Sequence, residues 1–112
     1  MKTKRTQLEL EREWRVQSIT VIANAICGLV EMAYFERHDN PQKFKLRNHH
    51  ISQALGHLAS LHALNAYPWQ TIVDLEHAID NYDIFMVNTI IRHAQIQSYN
   101  DYIREVDNHD NT

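Results

Sequence analysis

Apolar residues in the first third of the chain recur at helical spacing. Trp14, Val21, Gly28 and Phe35 follow one another at intervals of seven, and apolar or small residues occupy adjoining positions. Seven residues make almost two α-helical turns, so such residues share one face of a helix. The pattern predicts a long amphipathic helix over residues 6–37. The neighbouring positions of this stripe are Ile22, Ala25, Leu29 and Met32.

Two further helical patterns follow. The second covers residues 47–65, and the third starts near Trp69 and continues as far as Ile103. We place a break in the third pattern at residues 81–83, because a single helix of about 35 residues would be about three times the typical length. The apolar positions of the second pattern are Ile51, Ala54, Leu55, Leu58, Leu61 and Leu64, and those that open the third are Ile72, Leu75, Ile79, Tyr82 and Met86.

The two prolines mark the pauses between these patterns. Proline disfavours the α conformation in the residue before it, so Asn40 and Tyr67 are predicted to lie outside helices, and Pro68 suits a first helical turn. No internal repeat and no sustained β-type alternation is visible. We therefore predict a single all-α domain over residues 1–112. It is a compact bundle of three to five antiparallel helices, with frayed ends at residues 1–5 and 108–112.

Composition indicates one core and a reducing compartment. The chain has 112 residues, 44% of them hydrophobic, and Cys27 is its only cysteine, so it cannot form an intrachain disulfide. Five of the seven residues at positions 9–15 are charged, where a secretory signal would be apolar. The apolar run at residues 19–30 is interrupted by polar residues and is shorter than the roughly 20 residues that span a bilayer. We interpret the chain as a cytoplasmic protein that is not in a membrane.

Charge is distributed unevenly along the chain. Residues 1–56 carry nine basic and six acidic residues, whereas residues 57–112 carry two basic and eight acidic residues. An anionic surface steers association with a basic protein partner. The predicted partner-binding residues are Asp74, Glu76, Asp80, Asp83, Asp101 and Glu105.

The acidic third pattern also allows a metal-site interpretation. Asp74, His77 and Asp80 follow at steps of three, but such steps drift around a helix, so the three side chains do not converge well. A solvated or partner-facing acidic surface explains the same residues without a ligand. We predict no metal or other cofactor and no catalytic residue. Cys27 lies in an apolar stretch without a neighbouring base, which favours an inert, buried thiol.

A short basic strip precedes the second pattern. It comprises Lys43, Lys45 and Arg47, followed by His49 and His50. Contact with nucleic acid would need such clustered cations, and a solvated loop is the alternative. Because the pI is about 6.2, we expect no direct nucleic-acid binding by the protein.

Residues 54–61 (ALGHLASL), 68–72 (PWQTI) and 74–78 (DLEHA) together resemble the third helix, turn and fourth helix of the MazG-type all-α nucleotide pyrophosphohydrolases. The resemblance covers about 50 residues and is mostly apolar spacing. In that family an acidic segment binds metal, but here Ala54 and His57 stand where its acids belong. Ala25 and Gly28 replace the family's paired glutamates, and only Glu31 is in a comparable place. The resemblance therefore implies a non-catalytic relative, because Mg²⁺ requires oxygen ligands.

Three functional hypotheses remain open. The first is a non-catalytic interaction protein that binds a basic partner, one form of which is a small phage- or mobile-element-encoded inhibitor of a nucleic-acid-binding protein or complex. The second is a metal-dependent nucleotide pyrophosphohydrolase-like protein with ligands from Glu31, His57, Asp74 and His77. The third is a homodimer that pairs an exposed apolar stripe, for instance along Ile84, Val87 and Ile91.

Overall fold

Four α-helices make up the described part of the chain. The computed structural model describes residues 6–35 and 41–110, with side chains for residues 6–35 and 45–104. No strand occurs within those ranges. The all-α bundle is confirmed, as is the break at residues 81–83. The helices are α1 (Gln7–Phe35), α2 (Pro41–Ala63), α3 (Trp69–Asp80) and α4 (Ile84–Asp110).

A capping box starts α1. The Thr6 hydroxyl accepts a hydrogen bond from the Glu9 backbone N–H at 3.2 Å, and the Glu9 carboxylate accepts one from the Thr6 N–H at 3.4 Å. These reciprocal bonds satisfy two N–H groups that lack partners within the helix. The sequence Thr-Gln-Leu-Glu therefore fixes the first turn of the longest helix.

The end of α2 is closed by an asparagine with a left-handed backbone. Asn65 has φ 52°, and the Ala66 N–H bonds to the Leu61 carbonyl at 3.0 Å. This arrangement is a Schellman motif, in which asparagine is tolerated because its polar side chain suits that conformation. The Arg15 guanidinium of α1 donates hydrogen bonds to the Leu64 and Asn65 carbonyls. A cation at this position offsets the negative end of the α2 dipole and ties α1 to the α2–α3 turn.

The same motif separates α3 from α4. Tyr82 has φ 55°, which is uncommon for a bulky residue, and the Asp83 N–H bonds to the Ala78 carbonyl at 3.0 Å. The Arg47 guanidinium of α2 lies 4.8 Å from the centroid of the Tyr82 ring. Asp83 then caps α4, because its carboxylate accepts a hydrogen bond from the Met86 N–H at 3.0 Å. The break between the helices is thus built by local backbone bonds.

The core of α1 lies on a different face from the one that the heptad spacing indicates. Trp14, Val21 and Phe35 are 57%, 67% and 64% exposed, so the face defined by the heptad spacing points to solvent. The spacing of the buried positions alternates between four and three residues and fits one helical face equally well. The buried residues of α1 are Ile19, Ala23, Ile26, Val30 and Ala33.

Because both faces of α1 are apolar, periodicity alone could not distinguish them. By length and composition, α1 is also apolar enough to span a membrane, and only 28% of its most apolar window of 18 residues is buried. The expectation of a cytoplasmic protein outside the membrane remains a prediction.

Several other expectations about packing need correction. Val87 and Ile91 are buried in the core, so the stripe suggested for homodimerisation is not a free surface. The aromatic residues Trp14, Phe35, Trp69 and Phe85 are largely exposed and do not pack the helices together, whereas Tyr67 is buried. α2 begins at Pro41 and not near residue 47, so the basic strip is helical and does not form a loop. α4 extends to Asp110 and includes residues 108–110 of the polar end. Asn40 lies outside the described residues.

The helices pack as a closed ring of neighbours. α1 packs against α2 and α4, and α3 packs against α2 and α4. The short connections at residues 64–68 and 81–83 make consecutive helices antiparallel. α3 has 12 residues, whereas α1 has 29 and α4 has 27. The long helices therefore extend beyond α3, and the molecule measures 60 × 25 × 21 Å.

The two valines of α1 provide a matched test of the buried face. Val30 is fully buried and Val21 is 67% exposed. Val30→Ala is expected to lower the free energy of unfolding by about 2 kcal/mol through lost burial and a small cavity. Val21→Ala is expected to change it by less than about 0.5 kcal/mol. Urea denaturation measures both, and a larger loss for Val21→Ala would contradict this assignment.

The Asp83 cap gives a second expectation about stability. Asp83→Ala removes the acceptor for the Met86 N–H and is expected to cost about 1 kcal/mol, whereas Asp83→Ser keeps an acceptor and costs less. Thermal unfolding of the two variants, followed by circular dichroism, measures the difference. Equal melting temperatures for Asp83→Ala and the wild type would show that the cap contributes nothing.

Candidate interaction surface

The three carboxylates of α3 are exposed but do not share one face. Glu76 and Asp80 are four residues apart, so they lie on the same side of the helix. Asp74 and Glu76 are two residues apart, which separates them by about 200° around the axis. Buried Leu75 and Ile79 hold the helix against the core. The predicted acidic surface is thus divided between the two edges of α3.

Asp74 lies in a groove between α3 and α4 that also contains Asp101. The groove has a volume of about 510 Å³, and its walls come from the α2–α3 turn, α3 and α4. Asp74 accepts a hydrogen bond from Gln70 at 2.8 Å, and Asp101 accepts one from Gln97 at 3.1 Å. Both bonds run between residues four apart on one helix and so fix each carboxylate along its own helix. We call this the acidic groove.

Polar side chains surround the two carboxylates, and apolar ones form much of the remaining wall. Sequence reasoning did not find the additional polar residues, because the pairing of α3 with α4 brings them together and no local spacing signals that pairing. The polar residues are Thr71, Thr89, His93, Gln97 and Ser98, and the apolar ones are Ala66, Tyr67, Pro68, Ile90 and Ala94.

The two carboxylates of the groove differ in their cationic surroundings. Asp101 also lines a smaller cavity with Arg12 and Arg15, and it lies 3.8 Å from the Arg104 guanidinium. That ion pair is exposed and contributes little. The sequence holds no Lys or Arg from residue 48 to residue 91. The surroundings of Asp74 on its own helix are therefore anionic, whereas arginines offset part of the charge of Asp101.

The remaining predicted partner-binding residues lie elsewhere. Asp83 is exposed at the α3–α4 turn, where its carboxylate caps α4. Glu105 belongs to α4, but its side chain lies outside the described residues. Of the six, only Asp74 and Asp101 line one described cavity.

The basic strip is divided in the same way. Lys45 and His49 are exposed, whereas His50 is buried and Arg47 is half-buried over the Tyr82 ring. The side chain of Lys43 lies outside the described residues. Because Arg47 packs within the protein, the strip does not present a continuous row of free cations.

The residues considered for metal binding do not assemble into a site. Among the described residues, no group of three or more His, Cys, Asp or Glu side chains is placed to hold a metal ion. Glu31, Asp74 and His77 are exposed on α1 and α3, and His57 is half-buried on α2. For Cys27, burial raises the pKa of the thiol, and the Glu31 carboxylate adds to the rise. A raised pKa lowers the thiolate fraction, which is the reverse of what a nucleophile needs.

Tyr67 joins the groove to the core. Its side chain is buried, and its hydroxyl has no hydrogen-bond partner among the described residues. Burial raises the pKa of Tyr67 to about 12, and the negative charge of the Cys27 thiolate adds a smaller contribution. The phenol therefore remains neutral at physiological pH, and the ring serves chiefly as packing under the groove.

Comparisons with known proteins assign the chain to no family. No protein-family model matches it, and neither a curated protein nor a solved structure matches it. The resemblance to the MazG-type pyrophosphohydrolases is therefore neither supported nor contradicted.

Tyr67→Phe tests the role of the buried phenol. The substitution keeps the ring and removes a hydroxyl without a described partner, so we expect equal or higher stability at pH 7. The pKa of the folded-state phenol lies above its ordinary value of 10.0. The contribution of the neutral, buried phenol to the free energy of unfolding is therefore complete below pH 10, and it is lost as the pH rises towards 12. Urea denaturation from pH 8 to 12 should show a steeper alkaline loss for the wild type than for Tyr67→Phe.

A matched control is Tyr99→Phe, because Tyr99 is 55% exposed. It should follow the wild-type pH dependence. A marked loss of stability for Tyr67→Phe at pH 7 would instead show that the hydroxyl makes a stabilising hydrogen bond.

Proposed function

We propose that this protein is a non-catalytic interaction module that binds a basic protein partner through the acidic groove and the adjoining surface of α3. The observation that supports this most directly is the convergence of Asp74 and Asp101, from two helices, on one cavity of about 510 Å³. A volume of this size lies within the range of about 300–1,000 Å³ that is typical of ligand pockets. The groove has room for a side chain of a partner as well as a matching charge.

The chemistry of the groove favours an arginine or lysine side chain. Carboxylates pair with guanidinium groups through charge-assisted hydrogen bonds, and the surrounding Thr71, Thr89 and Ser98 hydroxyls can accept further N–H donors. The Ile90 and Ala94 side chains offer apolar surface for the methylene stem of such a residue. A long cationic side chain thus satisfies both the polar and the apolar parts of the groove.

Long-range charge supports the same partner chemistry. The stretch without Lys or Arg from residue 48 to residue 91 includes all of α3, so Glu76 and Asp80 add negative potential on the other edge of that helix. Such potential accelerates encounter with a basic surface and disfavours acidic ones. Nucleic-acid-binding proteins carry basic surfaces of this kind, so inhibition of such a protein is one form of the proposal.

Neutralising the groove is the direct test. Asp74→Asn and Asp101→Asn together remove two charges while they keep acceptors for Gln70 and Gln97. Proteins captured from a cell lysate on the wild type are identified by mass spectrometry, and the affinity of the purified partner is measured by calorimetry. We expect the double variant to bind at least about tenfold more weakly, which corresponds to about 1.4 kcal/mol, and the wild-type affinity to fall as salt rises.

The matched control neutralises two exposed carboxylates on α1. Glu11→Gln with Glu31→Gln changes the net charge equally but leaves the groove intact, so it should bind as the wild type does. Because Asp101 has arginines nearby, Asp74→Asn alone should account for most of the loss. If both double variants lower the affinity for the partner equally, binding depends only on net charge. If the Asp74 and Asp101 double variant binds as the wild type does, the acidic groove is not the binding site.

A further inference from the structure

The outer face of α1 is an apolar surface that the fold does not use. Trp14, Val21, Met32 and Phe35 are 57%, 67%, 48% and 64% exposed, and they lie within a narrow band around the helix axis. The band lies opposite the buried positions that include Ile26. It carries no charged residue along its centre, which runs through Trp14, Ser18, Val21, Ala25, Gly28, Met32 and Phe35.

The band has small residues in its middle and bulky ones at its ends. Ala25 and Gly28 lie between Val21 and Met32, with Trp14 and Phe35 beyond them. A Cβ atom built on Gly28 would have no neighbour within 4 Å, so the space in front of Gly28 is open. Small residues at a helix face let a second helix approach closely, and intervals of seven are typical of helices that pair along their length.

We infer that the occupant of this face is a second copy of the chain, with its α1 antiparallel to the first. A two-fold axis between Asn24 and Ala25 would place Trp14 of one copy opposite Phe35 of the other. The same axis would place Val21 opposite Gly28, where the space is open. The face therefore complements itself, as a two-fold interface requires. The outer face of α1 and the acidic groove share no residue.

Charge favours a second copy over a lipid surface. Helices that lie on membranes carry Lys or Arg on their polar flanks, but α1 has no basic residue after Arg15. Glu11 and Glu31 are exposed on α1 instead. Insertion across a bilayer would also remove Ile19, Ile26 and Val30 from the core that they share with the other helices. Acidic flanks beside an uncharged centre disfavour an anionic lipid surface.

The available area predicts a dimer of modest affinity. Trp14 and Phe35 together expose on the order of 250 Å² per copy, given the usual size of aromatic side chains. Val21, Met32 and the small residues raise the exposed apolar area to about 500 Å² per copy, so a dimer through this face buries at most about 1,000 Å² in total. Stable interfaces bury about 1,200 Å² or more. We therefore expect an equilibrium between monomer and dimer that shifts with protein concentration.

Sedimentation velocity over a range of concentrations tests the association. The wild type should move from monomer towards dimer as concentration rises. Val21→Lys should remain monomeric, and because Val21 is exposed the variant should keep wild-type circular dichroism. The matched control is Phe85→Lys, which changes a residue that is 78% exposed on α4 and should still dimerise. A wild type that remains monomeric at every concentration, or equal loss of dimer in both variants, would overturn the inference.

Cysteine cross-linking tests the antiparallel register. In a Cys27→Ala background, a mixture of the Val21→Cys and Gly28→Cys proteins should form a disulfide-linked dimer under mild oxidation, and neither protein alone should do so efficiently. Efficient cross-linking of Val21→Cys with itself would indicate parallel helices and refute the register. Flotation of the wild type, but not of Val21→Lys, with phosphatidylcholine–phosphatidylglycerol vesicles would identify a lipid surface as the occupant instead.

Discussion

The fold depends on the burial of one side of α1. This side packs against α2 and α4, so the first helix joins the middle of the chain to its last helix. Ala23 and Ala33 flank the larger Ile26 and Val30 along it, and all four are fully buried. Small residues at a helix interface let the backbones approach, while the larger ones fill the space between them. Arg15 strengthens the same contact by its bonds to the end of α2.

Sequence reasoning found the helices because their boundaries are local. The break between α3 and α4 and the start of α3 after Pro68 are set by backbone chemistry within a few residues. The choice of the inner face of α1 is not local. Val21 and Val30 have the same side chain in the same helix, and only the packing of α2 and α4 distinguishes them. The acidic groove likewise depends on tertiary packing, because Asp74 and Asp101 are far apart in sequence and only the pairing of α3 with α4 brings them together.

The two proposed surfaces lie on different parts of the bundle. The acidic groove belongs to α3 and α4, whereas the exposed apolar band belongs to the outer side of α1. The short α3 packs against α2 and α4, so the carboxylates of α3 do not lie along the band. Two copies joined through α1 would therefore keep both acidic grooves open. A partner with two basic sites would then bind with an effective concentration set by the spacing of the grooves.

Salt should affect partner binding at the acidic groove and dimerisation through α1 in opposite directions. Docking at the acidic groove depends on charges, and screening over about 8–10 Å at physiological salt weakens it. The centre of the α1 band carries no charge, and each chain has a net charge of −3. Screening thus reduces the repulsion between two copies while it leaves the apolar contact intact. Rising salt should release a basic partner and favour the dimer, so opposite responses to one variable would distinguish the two surfaces even in a mixture that contains both complexes.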